Sequence, residues 1–421
     1  MSSPAPGPPD IPQVMTDSRG VSRFLAPEDP LAVLAGVLGR PFLDYRRRWD
    51  EAKNFVSVPP FPLHVDYEML PACNLRCPMC LMAGRDKSAN SLDIIKDEAE
   101  VRTGKKAGEK AGEKTGKMAG EKTGEKAGGN KGFSAKDDLK TPGGKEEEEK
   151  EKGRGGDGSE KDKNDPDLKT LSPAAVRTLL DEGAERGQAS MGFGGLWEPL
   201  LSPHIASLVA HGRQRGLVEA MFNTNGSLLT ADVSRDLISA GLTRIMISLD
   251  AATKETYKLM RPGSDLGLVE ENVLGFLALR DRAGSRLPLV RLSFCLTSLN
   301  EHEWPAFVER WRGKADFFSL QSYGRFSPDS PALFPRKRPV PAPAGICAQP
   351  FKRLLVRHDG RVLPCCDLSG LPLELGGMED GLETVWRGEK LAALRARIRG
   401  PEEGLPRCCR ECQGKYEPRE D

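Results

Sequence analysis

The chain has 421 residues, enough for one large domain and a small one, and its 62 Lys and Arg nearly cancel 61 Asp and Glu to a formal net charge of +1. That balance provides no electrostatic footprint for a nucleic acid or an anionic membrane surface. No run approaches the length of a membrane-spanning helix, and the Pro- and Ser-rich start has no apolar signal core, so a cytoplasmic protein without membrane or nucleic-acid partners is expected.

Residues 1–60 are expected to be a flexible Pro-rich segment followed by a helix. From Pro30 to about Phe55 the apolar residues Leu31, Val33, Leu34, Val37 and Leu38 fall on one helical face, and Arg46, Arg47 and Arg48 then read as a solvated face. Leu63 to Leu70 alternates apolar and polar residues, as a strand does. Pro71 ends it and opens the loop Pro71-Ala72-Cys73-Asn74-Leu75-Arg76-Cys77-Pro78-Met79-Cys80. Three thiols at Cys-x3-Cys-x2-Cys spacing can wrap one centre. A [4Fe–4S] cubane takes one soft thiolate per iron, so three cysteines leave its fourth iron open. A structural zinc site would need a fourth ligand, and only His64 stands near in sequence.

Residues 84–168 break the pattern. Thr103 to Asn130 repeats a tetrad, mostly Ala/Thr-Gly-Glu/Lys-Lys, seven times, and Glu146 to Lys150 extends the charged run. Gly at every fourth position costs about 1 kcal/mol each in a helix, with no apolar face to offset it. The stretch is expected to be a disordered Lys/Glu/Gly-rich insertion, either an inert excursion or a gating or docking segment.

Order then resumes. Ser172-Pro173 caps a helix running to about Arg186. Strands are expected at Ala189–Phe193, Glu219–Asn223, Arg244–Leu249, Leu287–Leu296 and Asp316–Ser322, with helices at His204–Arg215, from Thr230 to before Gly241, from Gly267 to about Arg282, and at Glu303–Trp311. With Leu63–Leu70 this makes six strands alternating with helices, hence an α/β fold with a parallel sheet. Cys295, flanked by Phe294 and Leu296, reads as core. Gln321 and Tyr323 end the sixth strand, where a substrate could face them. Residues 324–344 hold six prolines and read as a linker. A small domain is expected over 345–416, with a hairpin at His358-Asp359-Gly360-Arg361 between Cys347 and Cys365 and a Cys409-x2-Cys412 pair beyond. Ten cysteines in such tight groups read as metal ligands rather than a disulfide framework.

The Cys-Asn-Leu-Arg-Cys-Pro-Met-Cys wording resembles the radical S-adenosylmethionine (SAM) superfamily. The resemblance implies a partial (β/α)6 TIM-like barrel over 61–323, in which Cys73, Cys77 and Cys80 hold a [4Fe–4S] cluster. SAM chelates the open iron and is reductively cleaved to a 5′-deoxyadenosyl radical that abstracts substrate hydrogen. Gly194-Gly195-Leu196-Trp197-Glu198-Pro199 resembles the family's Gly-Gly-Glu-Pro motif, which holds the SAM ammonium, although Leu196 and Trp197 interrupt it. Asn225 in Thr224-Asn225-Gly226, Ser248 and Asp250 in Ile-Ser-Leu-Asp, and Arg261 complete the implied SAM contacts. The C-terminal pattern resembles the Twitch form of the SPASM domain, which implies a second [4Fe–4S] cluster on Cys347, Cys365, Cys409 and Cys412. Cys366 or Cys408 could replace a neighbouring ligand, and a four-thiolate zinc ribbon is the alternative. Enzymes of this layout oxidise alcohols of aminocyclitols or sugars, or modify peptides, so a small-molecule or peptide substrate and an electron donor such as flavodoxin or ferredoxin are expected. A zinc-binding interaction protein on an inactive barrel is the reading from another class.

Overall fold

The Pro-rich start contains two short strands. A computed structural model describes residues 13–16, 22–80, 169–324, 331–336, 347–365 and 372–414. The expected disorder of 84–168 and the ligand alternative Cys366 lie outside them. Strand β1 (Gln13–Thr16) pairs antiparallel with β2 (Ser22–Leu25). Neither strand was expected from the sequence. Strand β2 lies along the edge of a strand some 300 residues later, Ser22 opposite Gln321, and a local reading of composition has no access to so distant a partner.

Helix α1 (Pro30–Lys53) starts where Asp29 accepts from the Leu31 N–H at 2.9 Å. Gly39, at φ +66°, kinks it two residues before Pro41. The kink breaks the single expected face: Val33 and Leu34 are buried while Val37 is exposed. With Phe42 and Tyr45, those buried residues pack on Leu63, Ala189, Leu289 and Phe317, at the strands' starts. Helix α1 therefore closes that end of the sheet. Its arginines are not all solvated, because the Arg46 guanidinium lies 5.4 Å from the Trp49 ring centroid and Arg48 donates to the Gly187 carbonyl.

The six expected strands are present as β3 (His64–Tyr67), β4 (Ser190–Phe193), β5 (Glu219–Thr224), β6 (Arg244–Ser248), β7 (Leu289–Leu296) and β8 (Phe317–Ser322). They lie side by side in chain order, all parallel. Between them run α2 (Pro173–Arg186), α3 (Ile205–Gln214), α4 (Ala231–Ser239), α5 (Lys254–Met260), α6 (Leu266–Arg282) and α7 (Trp304–Trp311). Ser172, Thr230 and Asp265 cap α2, α4 and α6 as N-cap side chains should. The short α5 has no counterpart in the sequence reading.

Strand parity divides the sheet into two chemical faces. Val65, Tyr67, Met191, Phe193, Phe222, Ile245, Ile247, Leu292, Phe294, Phe318 and Leu320 join helix residues such as Val176, Leu180, Leu208, Val273 and Phe307 in one core. Each such fully buried side chain contributes about 1.5–3 kcal/mol. The alternate positions, including His64, Asp66, Ser190, Glu219, Arg244, Arg291, Ser293, Cys295, Ser319 and Gln321, occupy the opposite face, the inside of an unclosed barrel.

The C-terminal cysteine segment is not set apart from this sheet. Strand β9 (Arg353–Val356) pairs in parallel with β3, His64 opposite Arg353, and β10 (Arg361–Leu363) and β11 (Gly376–Gly377) follow antiparallel. The sheet thus has eleven strands among the described residues. The expected hairpin closes between β9 and β10, with Gly360 at φ +89°. Beyond it, α8 (Leu382–Arg387), α9 (Glu389–Arg399) and α10 (Arg407–Gly414) complete the described chain.

Candidate metal and SAM site

The Cys73–Cys80 loop leaves the C-terminal end of β3, the end of a parallel barrel where chemistry collects. Cys73, Cys77 and Cys80 pack in one cluster with Leu75, Met79, Met260 and Tyr323. Two donors are aimed at the sulfurs: the Leu75 N–H reaches Cys73 Sγ at 3.4 Å and the Arg261 guanidinium reaches Cys77 Sγ at 3.8 Å. Burial pushes the Cys73 thiol up to about 11. Three thiols packed in one cluster and supplied with N–H and cationic donors suit a thiolate-held iron–sulfur centre, since such contacts are what tune its charge, although among the described residues they do not close into a ready-made metal site.

Neighbouring loops hold this loop in place. Asn225 donates through Nδ2 to Asn74 Oδ1 at 2.9 Å, and Asn74 donates to Ser227 Oγ at 2.8 Å. Asn225, expected to touch SAM, here ties the cysteine loop to the turn after β5. The Arg76 N–H donates to the Pro262 carbonyl, and a Cβ at Gly263 would crowd the Asn74 carbonyl at 3.2 Å.

Glu198 sits behind the loop, 3% exposed. Its backbone N–H donates to the Ala72 carbonyl at 3.0 Å. Its carboxylate accepts from Thr224 Oγ1 at 2.7 Å, Asn225 N at 2.8 Å and Leu200 N at 3.1 Å. Burial raises its pKa and those donors oppose the rise. Three donors leave about one of a carboxylate's four lone-pair directions for an ammonium. Gly194, at φ +123°, takes the sharp corner after β4. A Cβ on Gly195 would meet Glu68 Oε1 at 2.7 Å.

Asp250 and Arg261 were both expected to contact SAM, and the structure pairs them with each other. Asp250 takes the left-handed conformation at φ +62° after β6, which Asp tolerates better than most residues. Its Oδ2 accepts from Arg261 Nε at 2.8 Å and its Oδ1 from the Cys295 N–H at 2.6 Å. Burial alone would lower the Arg261 pKa, but Asp250 and the Cys77 thiolate outweigh it and raise it. Arg261 is thereby fixed as a cation beside Cys77. Ser248 ends β6 in register with Ser293, whose hydroxyl accepts from Ser319 Oγ at 2.9 Å. Cys295, read as core, instead lies on the inner face opposite Gln321 and packs beside the three loop thiols. The signal was present in the sequence, because parity places Cys295 with Arg291 and Ser293 rather than with Leu292 and Phe294. Tyr323 packs under the cysteine loop and donates to the Pro331 carbonyl at 2.5 Å.

Glu68 had no assigned role. It is 1% exposed and accepts from the Leu196 N–H at 2.9 Å through one oxygen and from Arg357 Nε at 3.2 Å through the other. Arg357 also donates to His358 Nε2, and His358 Nδ1–H donates to the Lys169 carbonyl, each at 2.9 Å. This buried relay joins the loop before Glu198 to the C-terminal hairpin.

The C-terminal thiols come from three places. Cys347 precedes a single 3-10 turn, Cys365 follows β10, and α10 carries Cys408, Cys409 and Cys412. Burial, then the neighbouring Cys408 and Cys347, push the Cys409 thiol up to about 12, with Cys412 contributing. Cys347 therefore lies within electrostatic reach of the α10 thiols. Cys408 and Cys409 stand four and three residues from Cys412, on one helix face.

Comparison with known proteins agrees with this architecture. The model of the radical SAM superfamily matches residues 152–309, and that of an iron–sulfur cluster-binding domain, SPASM, matches 347–413. The first match begins at residue 152, downstream of the cysteine loop. The AdoMet-dependent heme synthase of Methanosarcina barkeri is 32% identical over 96 residues, 22% of this chain and 27% of that protein. A probable GTP 3',8-cyclase of Metallosphaera sedula is 29% identical over 142 residues, 34% of this chain and 42% of that protein. The chain thus spans well under half the length of either relative. Streptococcus suis SuiB bound to S-adenosylmethionine superposes at a TM-score of 0.50 and 13% identity, over 83% of this chain and 71% of that one, which is a likeness of fold. The chain carries a radical SAM region over residues 152–309 and, after its partial barrel, a SPASM iron–sulfur cluster-binding domain over 347–413.

Proposed function

We propose that the chain reductively cleaves SAM and removes a hydrogen atom from a polar substrate, a small carbohydrate-like molecule or a peptide, which it oxidises. The packing of Cys73, Cys77 and Cys80 in one cluster, with the Arg261 guanidinium beside the Cys77 sulfur, carries this reading. When bound, the cluster supplies one electron for SAM cleavage, and the 5′-deoxyadenosyl radical so made takes the substrate hydrogen. In this reading Glu198 offers its remaining lone pair to the SAM ammonium. Arg261, fixed by Asp250, keeps positive charge beside the Cys77 sulfur. Ser248, Ser293, Ser319, Cys295 and Gln321 line the upper inner face with hydroxyl, thiol and amide groups, which suits a hydrogen-bonding substrate. Cys347 and the α10 cysteines, with Cys365, would hold an auxiliary cluster that receives the electron left on the substrate after deprotonation. The domain limits 61–323 and 345–416 belong to the same proposal. Support for the peptide form is of fold only: SuiB bound to its precursor peptide SuiA superposes at a TM-score of 0.51 and 12% identity.

Anaerobic reconstitution followed by iron, acid-labile sulfide and zinc analysis tests the reading. About eight irons per chain, halved in a Cys73/Cys77/Cys80 triple Ala variant, together with 5′-deoxyadenosine release under dithionite, is the expected result. Zinc without iron would overturn it.

A further inference from the structure

The short helix α5 has an inner side and an outer one. On the inner side Met260, at its end, is fully buried against Leu75, Cys77 and Met79, and the next residue, Arg261, reaches Cys77 Sγ. On the outer side Lys254 and Lys258 stand four residues apart on one face, both exposed, and neither forms an ion pair among the described residues. A cleft of about 680 Å³ opens beside these lysines, walled further by Asn74, Ser227, Gly263 and Leu268. Its floor is the outer surface of the cysteine loop: a Cβ at Gly263 would stand 3.2 Å from the Asn74 carbonyl oxygen and 3.5 Å from Leu75 Cδ2. The rim is cationic, because Arg76 is exposed and its N–H is held on the Pro262 carbonyl. Asp265 is the acid in the lining, and its carboxylate already accepts from the Leu268 N–H at 3.0 Å. Leu268, in the cleft wall, and Leu259, next to Lys258, are 47% and 58% exposed. Apolar side chains set among like charges make a face suited to a protein of opposite charge.

We propose that this cleft is the docking face for a small acidic one-electron carrier protein of the ferredoxin class, which reduces the centre held by Cys73, Cys77 and Cys80. The inference rests on the SAM-cleavage reading above, which needs one electron from outside the chain. Helix α5 links the surface to that centre: its lysines meet the carrier, while Met260 touches the thiol loop. A cleft of this size takes one protruding loop, and a carrier whose own iron–sulfur centre is held by a surface cysteine loop presents one. Lys254 and Lys258 steer the acidic partner and fix its orientation. The carrier gives up one electron and leaves oxidised, and no bond or proton changes hands at this face.

The test compares two reductants on the reconstituted full-length chain and measures ferredoxin binding directly. Changing Lys254→Glu and Lys258→Glu together is expected to weaken ferredoxin binding at least about tenfold in anaerobic calorimetry at low salt, the gap closing as ionic strength rises. Release of 5′-deoxyadenosine driven by reduced ferredoxin should fall by a similar factor, while release driven by dithionite, which needs no docking, should match the parent. Lys254→Arg with Lys258→Arg should bind like the parent, and Lys390→Glu, at the exposed start of α9, should change neither readout. Equal ferredoxin affinity in the parent and the double Glu variant would overturn the docking face. A dithionite-driven rate that falls in that variant would overturn it too, since α5 would then only support the loop. Lysine-dependent binding of flavodoxin but not of ferredoxin would overturn the choice of carrier. A parent that releases no 5′-deoxyadenosine under dithionite would overturn the SAM-cleavage reading itself, and the inference with it.

Discussion

Glu198 already accepts three hydrogen bonds inside the protein, so a change there separates ligand binding from cluster assembly. Glu198→Gln keeps the shape and removes the charge that would face an ammonium. A charge-assisted hydrogen bond is worth about 1.5–3 kcal/mol, so SAM affinity is expected to fall roughly 10- to 100-fold. Iron content should not change, because the Cys73 loop is tied independently through Asn74 and Arg76. Equilibrium dialysis of SAM beside iron analysis of the same sample checks this, and equal affinity in both proteins would remove Glu198 from the ligand set. At this scale the sequence was informative wherever one residue type has one strong use: clustered thiols, a buried Glu in a recognisable motif, a Ser-Pro helix start. It was silent on pairing. Neither Asp250 nor Arg261 announces that its partner is the other, because the ten residues between them include the helix α5. Glu68 shares a strand face with His64 and Asp66, yet its partner Arg357 stands 289 positions away.

The element that this long pairing steadies is the loop from Gly194 to Glu198. One oxygen of Glu68 holds the Leu196 N–H while the other holds Arg357, whose strand end belongs to the C-terminal segment. Glu68→Gln leaves the Leu196 contact available but strips Arg357 of its counter-charge in a buried setting. Breaking a buried pair from one side typically costs about 3–5 kcal/mol, which urea denaturation should register. SAM affinity should fall too, because the loop that carries Glu198 loses its brace. A Tyr45→Phe change in α1 provides the contrast. It removes one hydroxyl bond to Glu219 at 3.3 Å, at the opposite end of the barrel, and should leave SAM affinity unaltered. Equal SAM affinity in Glu68→Gln and the parent would mean that the loop holds its shape without Glu68. Most helices and the six strands β3 to β8 were legible because period and capping chemistry are local. The short α5 was not, since seven residues carry too few turns for a period to show.

The whole molecule departs most from its sequence in the relation between barrel and cysteine domain. A Pro-rich linker and a second cysteine group suggest two bodies, but the backbone of β9 completes the edge of β3, residue for residue from His64 to Tyr67. Leu354, Val356 and Trp386 belong to the same core as the barrel helices, and the Trp386 indole donates to the Pro59 carbonyl at 2.8 Å. The short turn before Lys352 likewise holds the start of β3 through the Leu63 and His64 N–H groups. A chain ending at residue 344 would therefore lose more than a cluster. It would expose the β3 edge, leave Asp66 without Arg353 and Glu68 without Arg357, and uncover apolar surface along α2. An open, partly apolar sheet edge invites association. The truncated chain is expected to be insoluble or to unfold without a cooperative transition, whereas a full-length chain with Cys347, Cys409 and Cys412 changed to Ser should stay folded and keep about four irons at the Cys73 loop. Solubility, thermal unfolding and iron content of the two proteins decide between one body and two. A truncated chain that folds cooperatively and binds iron at Cys73, Cys77 and Cys80 would show that the barrel stands without β9.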